Sequence, residues 1–572
     1  MDTIPHLVLA NAQHMPDAPA LLRRHGDGWV TTTWAEYGLA VRRAAAALIA
    51  SGVEQGDRVA ILSYNTPEWV IFDVAAMAVG AVPVGIYYAS SPHEVADLLE
   101  RSGATVLLAQ TAGHVAMVDQ DAHRALRMIV GIDTDDGGAI GWGEFLARGD
   151  ETDGVVDERI AAIRPEHDGT IIFTAAGFGE PAGVVLTHAN LVFAGHSSVE
   201  LFDVTADDSA LSYLPLSHIA EQIFTILAPA HVGYPVAFAQ SLGRVRNDLP
   251  DIQPSIFFGV PLVWAGFERG IRKQIDSLVG LERRVARWAM RANRADIASR
   301  NAGSKRSLYG RAAAALARRM FSDRVKAIMG FSNSRLAFCG AVSADPDMLA
   351  YFSGIDIVIR EVYGLSEATG PSVVTREGAT RFGTVGQPMP GVEISLADDD
   401  EILIRGASVF DRYLDDEFVT RRALRDGWLH TGDIGRIDED GFLTISGRKK
   451  DIVITSGGKN VDPGAIEPLL EADPFINDAI VVGDGYDQLG VLMSVAEDAE
   501  DAEDADAAGA LERARAIVKK VNQRFARAEQ IRRVGLLSRS LSIEHGERNA
   551  DGRLERRLVV EHFADEIAAL YR

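Results

Sequence analysis

Cysteine occurs once in 572 residues, as Cys339. A single thiol cannot close a disulfide within the chain, which excludes a disulfide-stapled scaffold and fits a reducing cytoplasm. Lysine is also scarce. It occurs only at Lys273, Lys305, Lys326, Lys449, Lys450, Lys459, Lys519 and Lys520, although Lys and Arg together number 57. No stretch reaches about 18 uninterrupted apolar residues, so no membrane-crossing helix is predicted. Met1 to His14 holds no basic region followed by an apolar run, so no signal peptide is predicted. Net charge is −24 with a pI near 5.0, which argues against a nucleic-acid binder. No internal repeat is visible, which excludes a solenoid.

What the chain has is length and apolar content. With 47% hydrophobic and 24% charged residues, it can build a large core and a smaller second domain. Residues 37–52 show helical spacing, Val59 to Leu62 reads as a buried strand, Val70 to Val82 as a helix and Val84 to Ile86 as a strand. The alternation continues through Val106-Leu107-Leu108 and Met128-Ile129-Val130, the rhythm of an α/β fold with largely parallel sheets. Residues 268–325 are rich in arginine and alanine at helical periodicity. They predict surface helices whose basic side is solvated. Short strands with turn signals fill 394–445. A composition shift at Gly447-Arg448-Lys449-Lys450-Asp451 predicts a junction between a domain at 1–450 and one at 451–572. Residues 497–508 form an acidic, alanine-rich run that reads as a solvated loop or helix start.

Several short motifs follow one another. The apolar run Thr170-Ile171-Ile172-Phe173 precedes Thr174-Ala175-Ala176-Gly177-Phe178-Gly179-Glu180-Pro181-Ala182-Gly183. Next come Ser212-Tyr213-Leu214-Pro215-Leu216-Ser217-His218, Phe257-Phe258-Gly259-Val260-Pro261 with Trp264, and Gly340-Ala341-Val342. Then follow Tyr363-Gly364-Leu365-Ser366-Glu367, Trp428-Leu429-His430-Thr431-Gly432-Asp433, Gly447 to Asp451, and Ile454-Thr455-Ser456-Gly457-Gly458-Lys459-Asn460-Val461. Singly, each is weak: a lone Thr-Gly-Asp is more often a turn than a binding site. Ser217 and Ser366 do not sit in a G-x-S-x-G elbow, which disfavours a serine nucleophile. In this order and spacing the set resembles the acyl-adenylate-forming superfamily of acyl-CoA synthetases, adenylation domains and luciferases, of the long-chain acyl-CoA synthetase type.

The resemblance implies a large N-terminal domain of parallel-rich sheets flanked by helices and a small, mobile α+β C-terminal domain. It implies an AMP site from Gly340, Ala341, Tyr363, Gly364, Ser366, Asp433 and Arg448, with Tyr363 on the adenine and Asp433 and Arg448 on the ribose. Gly457, Gly458 and Lys459 fall in the loop lining the CoA pantetheine channel, with Gly458 and Lys459 as catalytic candidates. Asp451 falls at the interdomain hinge. His218 either borders the acyl carboxyl as a catalytic group or is a hydrogen-bonded wall residue. Glu367 falls at the family's magnesium position, or is a leftover structural acid, so a magnesium requirement stays open.

The family loop reads roughly T-S-G-T-T-G-x-P-K-G. Here its serine is Ala175, its threonines are Gly177 and Phe178, and its lysine is Ala182. A loop that grips ATP phosphates needs hydroxyls, free amides and a cation. The family's C-terminal lysine falls on Arg553, before a final helix expected over Leu558 to Tyr571, and no lysine follows Lys520. Arginine keeps the charge but is a planar fork rather than a point charge. Adenylation brings anions together and depends on such donors, each worth about 10²–10³ in rate. Thioester formation mainly needs positioning of an activated acyl group and a thiol. These losses imply a non-adenylating acyl-CoA ligase, which takes preformed acyl-AMP and CoA from a cytoplasmic pool and needs a separate adenylating enzyme as supplier. That division resembles the split-ligase arrangement of platensimycin-type diterpenoid biosynthesis, and it implies a bulky apolar acid, terpenoid or fatty. An inactive binder of acyl-adenylate or CoA, and a full ATP-dependent synthetase with Arg553 in the lysine's place, stay open beside it.

Overall fold

The computed structural model describes residues 3–26, 28–149, 153–175, 181–301, 307–340, 344–449, 451–456, 460–496, 507–542, 544–548 and 554–572. The chain forms two compact units. One comprises Met1–Ser395 and Leu403–His430, the other Leu396–Ile402 and Thr431–Arg572. The change of unit thus falls at Thr431, ahead of the composition shift at 447–451. The hairpin of Trp428–Ile437 and Leu443–Arg448 accounts for this: Asp433 lies opposite Arg448 and Ile437 opposite Leu443. That pairing draws the Thr-Gly-Asp motif into the second unit.

The first unit holds two large sheets. In the eight-stranded sheet, Val82–Ile86, Arg58–Leu62, Val106–Ala109 and Met128–Gly131 run parallel. They are almost wholly buried, as the continuous apolar runs of parallel strands require. Asp168–Ala175 joins this sheet and pairs antiparallel with Pro181–Thr187. In the nine-stranded sheet, Ile256–Gly259, Leu336–Cys339 and Ile359–Leu365 lie side by side and parallel. Helices Trp34–Ala50 and Pro67–Ala78 are set by Thr33 and Thr66, whose side chains accept from the amides of Glu36 and Trp69. The second helix stops at Ala78, short of the sequence expectation, because Val82 begins a strand.

One core cluster beneath the nine-stranded sheet is aromatic. Phe257, Trp264, Phe331 and Phe352 are fully buried, and the Trp264 indole donates to the Phe338 carbonyl at 2.9 Å. Removing one such ring typically costs about 3–5 kcal/mol. The arginine-rich region forms helices Pro261–Ser277, Gly280–Asn301 and Leu308–Ala317, the last running through a π turn at Arg318–Ser322 into Asp323–Met329.

The second unit contains a three-stranded sheet of Ile476–Val482, Leu489–Val495 and Ile531–Leu536, and helix Ala507–Val521. The final helix expected over 558–571 is two helices, Arg556–His562 and Ala564–Leu570. The break is at Phe563, whose backbone leaves the helical region (φ −109°, ψ 25°) while its ring stays buried under the Arg539 guanidinium. The acidic run at 497–506 lies outside the described residues.

Candidate active site

In open α/β sheets, ligands bind beyond the carboxyl ends of the strands. The motif residues of the first unit lie there. Gly340 follows strand Leu336–Cys339, and Tyr363 and Gly364 end strand Ile359–Leu365. The latter strand turns back through Ser366–Ala368 into Gly370–Val374, with a bulge between Tyr363 and Gly364. That turn accounts for the glycine: a Cβ on Gly364 would stand 1.8 Å from the Gly370 carbonyl oxygen. Gly340 is close-packed too, its would-be Cβ lying 3.0 Å from the Val362 carbonyl oxygen. Tyr363 and Ser366 are buried.

Glu367 is half-buried, and the Tyr413 hydroxyl donates to its Oε1 at 2.7 Å. The Phe410 amide donates to the Glu367 carbonyl at 2.8 Å. The neighbouring Thr369 adopts the left-handed region (φ 53°) and its hydroxyl donates to the Ser408 carbonyl. Burial, together with the carboxylate of Glu367, pushes the Tyr413 hydroxyl far above its ordinary range, so it stays a donor. Among the described residues no group of three or more His, Cys, Asp and Glu is placed to hold a metal. A magnesium ion at Glu367 would therefore take its other ligands from water and substrate phosphates, as this ion commonly does.

His218 caps helix Ile219–Gln222. Its Nδ1 accepts from the Ala220 amide at 3.2 Å. The segment leading to it is held by residues that no motif marks. Asn65 donates to the Ser212 hydroxyl and the Leu214 carbonyl and accepts from the Leu216 amide. Gly85 lets Ser217 approach so closely that a Cβ there would meet the Ser217 Cα at 2.7 Å. Glu221 accepts from the Tyr213 amide and the Thr225 hydroxyl. Burial pushes its carboxyl up to about 7 despite those bonds. Glu361 is buried two residues before Tyr363, and burial pushes it up to about 8.

Of the loop positions, Ala175 closes strand Asp168–Ala175 and lies opposite Pro181, while Ala182 lies opposite Thr174. Gly177 and Phe178 lie outside the described residues, as do Ala341, Gly457, Gly458, Lys459 and Arg553.

In the second unit, Asp433 and Arg448 face each other across the hairpin, with Arg448 Nε 3.0 Å from Asp433 Oδ1. Asp433 is buried, with a side chain only 5% exposed, whereas that of Arg448 is 31% exposed. Around them, Glu401 accepts from the Gly432 amide and lies 3.4 Å from Lys449 Nζ, and the Thr431 hydroxyl accepts from the Asp433 amide. The Lys449 ammonium is raised above its usual range by its bond to Asp399 at 2.5 Å. The Asp451 amide donates to the Arg448 carbonyl, closing a tight turn at the expected hinge. The glycine-lysine loop springs from a strand pair, Val453 opposite Val461 and Ile454 opposite Asn460. The Ser456 amide donates to the Tyr486 carbonyl at 2.8 Å.

The arrangement matches known proteins along its whole length. A family model described as AMP-binding enzyme matches residues 8–414, and one described as AMP-binding enzyme C-terminal domain matches residues 450–572. The chain belongs to the AMP-binding enzyme family. It is 34% identical to the long-chain-fatty-acid–CoA ligase FadD15 of Mycobacterium bovis, over 100% of this chain and 97% of that protein. It is 30% identical to the long-chain-fatty-acid–CoA ligase ACSBG2 of Gallus gallus, over 97% of this chain and 79% of that protein. Among solved structures it resembles the anthranilate CoA ligase AuaEII in complex with anthranoyl-AMP, with a TM-score of 0.76 at 19% identity over 100% and 98% of the two chains. It also resembles a Mycobacterium tuberculosis fatty acyl CoA synthetase, with a TM-score of 0.66 at 21% identity over 99% of each chain. The structural likeness establishes the α/β fold with a large N-terminal and a small C-terminal part.

Proposed function

We propose that this chain is an acyl-CoA ligase confined to the second half-reaction: it converts a preformed acyl-adenylate and CoA into acyl-CoA and AMP. One contrast carries the reading. The positions where the family grips pyrophosphate hold Ala175, Gly177, Phe178 and Ala182, without hydroxyl or amine, whereas the Asp433–Arg448 pair is intact at 3.0 Å.

In the step itself, the CoA sulfur attacks the acyl carbonyl carbon and a C–S bond forms. The C–O bond to the adenylate phosphate breaks, AMP leaves as the anion, and the thiol proton passes to solvent. A mixed anhydride is already activated, and a thiol with pKa about 8.5 is a good nucleophile once partly ionised. The protein's work is to orient the two partners, a contribution that reaches roughly 7–11 kcal/mol. In this reading Asp433 and Arg448 hold the ribose, Tyr363 with Gly340, Ala341, Gly364 and Ser366 frames the base and phosphate, and Gly457, Gly458 and Lys459 border the thiol's path. His218 borders the acyl carbonyl. Asp451 is the hinge between domains 1–450 and 451–572.

The relatives named for long-chain fatty acids support an apolar acyl group, a fatty chain or a terpenoid polycycle. A separate adenylating enzyme supplies the substrate. A second reading, a complete ATP-dependent synthetase, is favoured by one observation: Glu367 is retained and oriented by Tyr413. ATP–pyrophosphate exchange with acid and magnesium separates the two. No exchange is expected, and exchange as fast as thioester formation would replace the first reading by the second.

A further inference from the structure

The arginine-rich helices carry a surface that neither half-reaction uses. Residues 261–329 hold sixteen Lys and Arg against five Asp and Glu, an excess of eleven positive charges in a chain of net charge −24. The same region exposes large apolar side chains. In the continuous helical run from Leu308 to Met329, Ala314, Ala317 and Phe321 face inward at helical spacing. On the opposite side Leu308, Leu316 and Met320 recur at multiples of four residues and are 50–82% exposed, with Tyr309 beside them at 84%. This helix is amphipathic in the usual sense only on its inner side; its outer stripe is also apolar, flanked by Arg311 and Arg319.

The helix packs on Gly280–Asn301. There Arg284, Arg287 and Arg291 are exposed at spacings of three and four, hence on one face. These three guanidiniums, with those of Arg311 and Arg319, make no ion pair among the described residues. A purely solvated basic face accounts for the arginines but leaves the leucine–methionine stripe in water.

We infer that this helical layer docks on an anionic lipid surface, lying in the interface rather than crossing it. Charge complementarity selects the lipid. Interfacial helices interleave Lys and Arg with apolar and aromatic side chains that enter the headgroup boundary, and anionic leaflets attract such clusters. The layer binds although the whole chain is acidic because screening at about 0.1 M salt confines the interaction to roughly 10 Å. No helix of the described residues is long and apolar enough to cross a membrane, in keeping with a peripheral contact. The inference does not depend on which half-reaction the chain performs.

Cosedimentation of the full-length protein tests it, with vesicles of phosphatidylcholine alone and vesicles containing about 30% phosphatidylglycerol. The wild type is expected to bind the anionic vesicles and not the zwitterionic ones. The triple variant Arg284→Ser, Arg287→Ser, Arg291→Ser should bind about 100-fold more weakly. The double variant Leu316→Ser, Met320→Ser should bind more weakly with an unchanged dependence on salt, and both should keep the wild-type Tm, since all five side chains leave the core untouched. Equal binding to both vesicle types, or anionic binding unaltered in both variants, would overturn the inference. So would a chain that ignores vesicles but dimerises in a manner abolished by Leu316→Ser, Met320→Ser, which would give the face to a second copy.

Discussion

Replacing Glu367 by Gln tests by magnitude whether its charge takes part in thioester formation. The glutamine is isosteric, and its carbonyl oxygen can still accept from the Tyr413 hydroxyl that now lies 2.7 Å from Oε1. What is lost is charge assistance. A hydrogen bond to a charged group contributes about 1.5–3 kcal/mol and a neutral one about 0.5–1.5, so the structural cost is about 1 kcal/mol. In a protein of this size that lowers Tm by about 1–3 °C. The turn at Ser366–Ala368 should hold, because the Phe410 amide still binds the residue-367 carbonyl. If the chain performs only thioester formation, no pyrophosphate charge develops near residue 367. The kcat/KM for acyl-AMP and CoA should then stay within about threefold of wild type. If Glu367 serves charge stabilisation in the transition state, the loss should be about 10²–10³. Initial rates by mass spectrometry, read beside thermal unfolding, decide the matter. A hundredfold fall in kcat/KM at nearly unchanged Tm would refute the reasoning.

Three further outcomes follow from the geometry. Asp433→Asn removes a buried carboxylate 3.0 Å from Arg448 Nε, and should weaken AMP binding in calorimetry about 10- to 100-fold while altering kcat less. Unchanged AMP affinity would remove Asp433 from the ribose site. Gly364→Ala places a methyl 1.8 Å from the Gly370 carbonyl oxygen, which forces the Tyr363–Glu367 turn open. The expected cost is about 3 kcal/mol or more in denaturant unfolding. The raised carboxyl of Glu361 makes stability fall with alkalinity. The folded chain keeps a proton near pH 7 that the unfolded chain has lost, so this contribution is complete below about pH 4.5 and is lost as pH rises toward 8. The slope between those limits is about 1.4 kcal/mol per pH unit, and Glu361→Gln should flatten it. Parallel pH profiles for the two proteins would show that Glu361 is not the cause.

The family pattern was legible because its motifs are local. Asp433 and Arg448 meet because Asp438-Glu439-Asp440-Gly441 turns the chain between them, and that turn can be read in the residues themselves. The glycine after Tyr363 is readable as a motif letter, yet the reason for it, the Gly370 carbonyl, appears only with the bulged hairpin. Residues that support the site from far along the chain left no local signal. Asn65 reaches the 212–216 segment, Gly85 admits Ser217, and Tyr413 orients Glu367, each across sheet neighbours that composition does not reveal. The split of the last helix at Phe563 was equally hidden, since Val559, Phe563 and Ile567 keep helical spacing through the break. The exposed stripe Leu308, Leu316 and Met320 reads as ordinary core periodicity until burial shows that Ala314, Ala317 and Phe321 face inward.

The central claim, that thioester formation survives without adenylation, is tested most directly by one paired assay. Synthetic fatty and polycyclic acyl-AMPs with CoA are run beside the same acids with ATP, magnesium and CoA, and acyl-CoA is quantified by mass spectrometry. The account predicts acyl-CoA from acyl-AMP and none above background from ATP and acid. Comparable product from ATP and acid would contradict it.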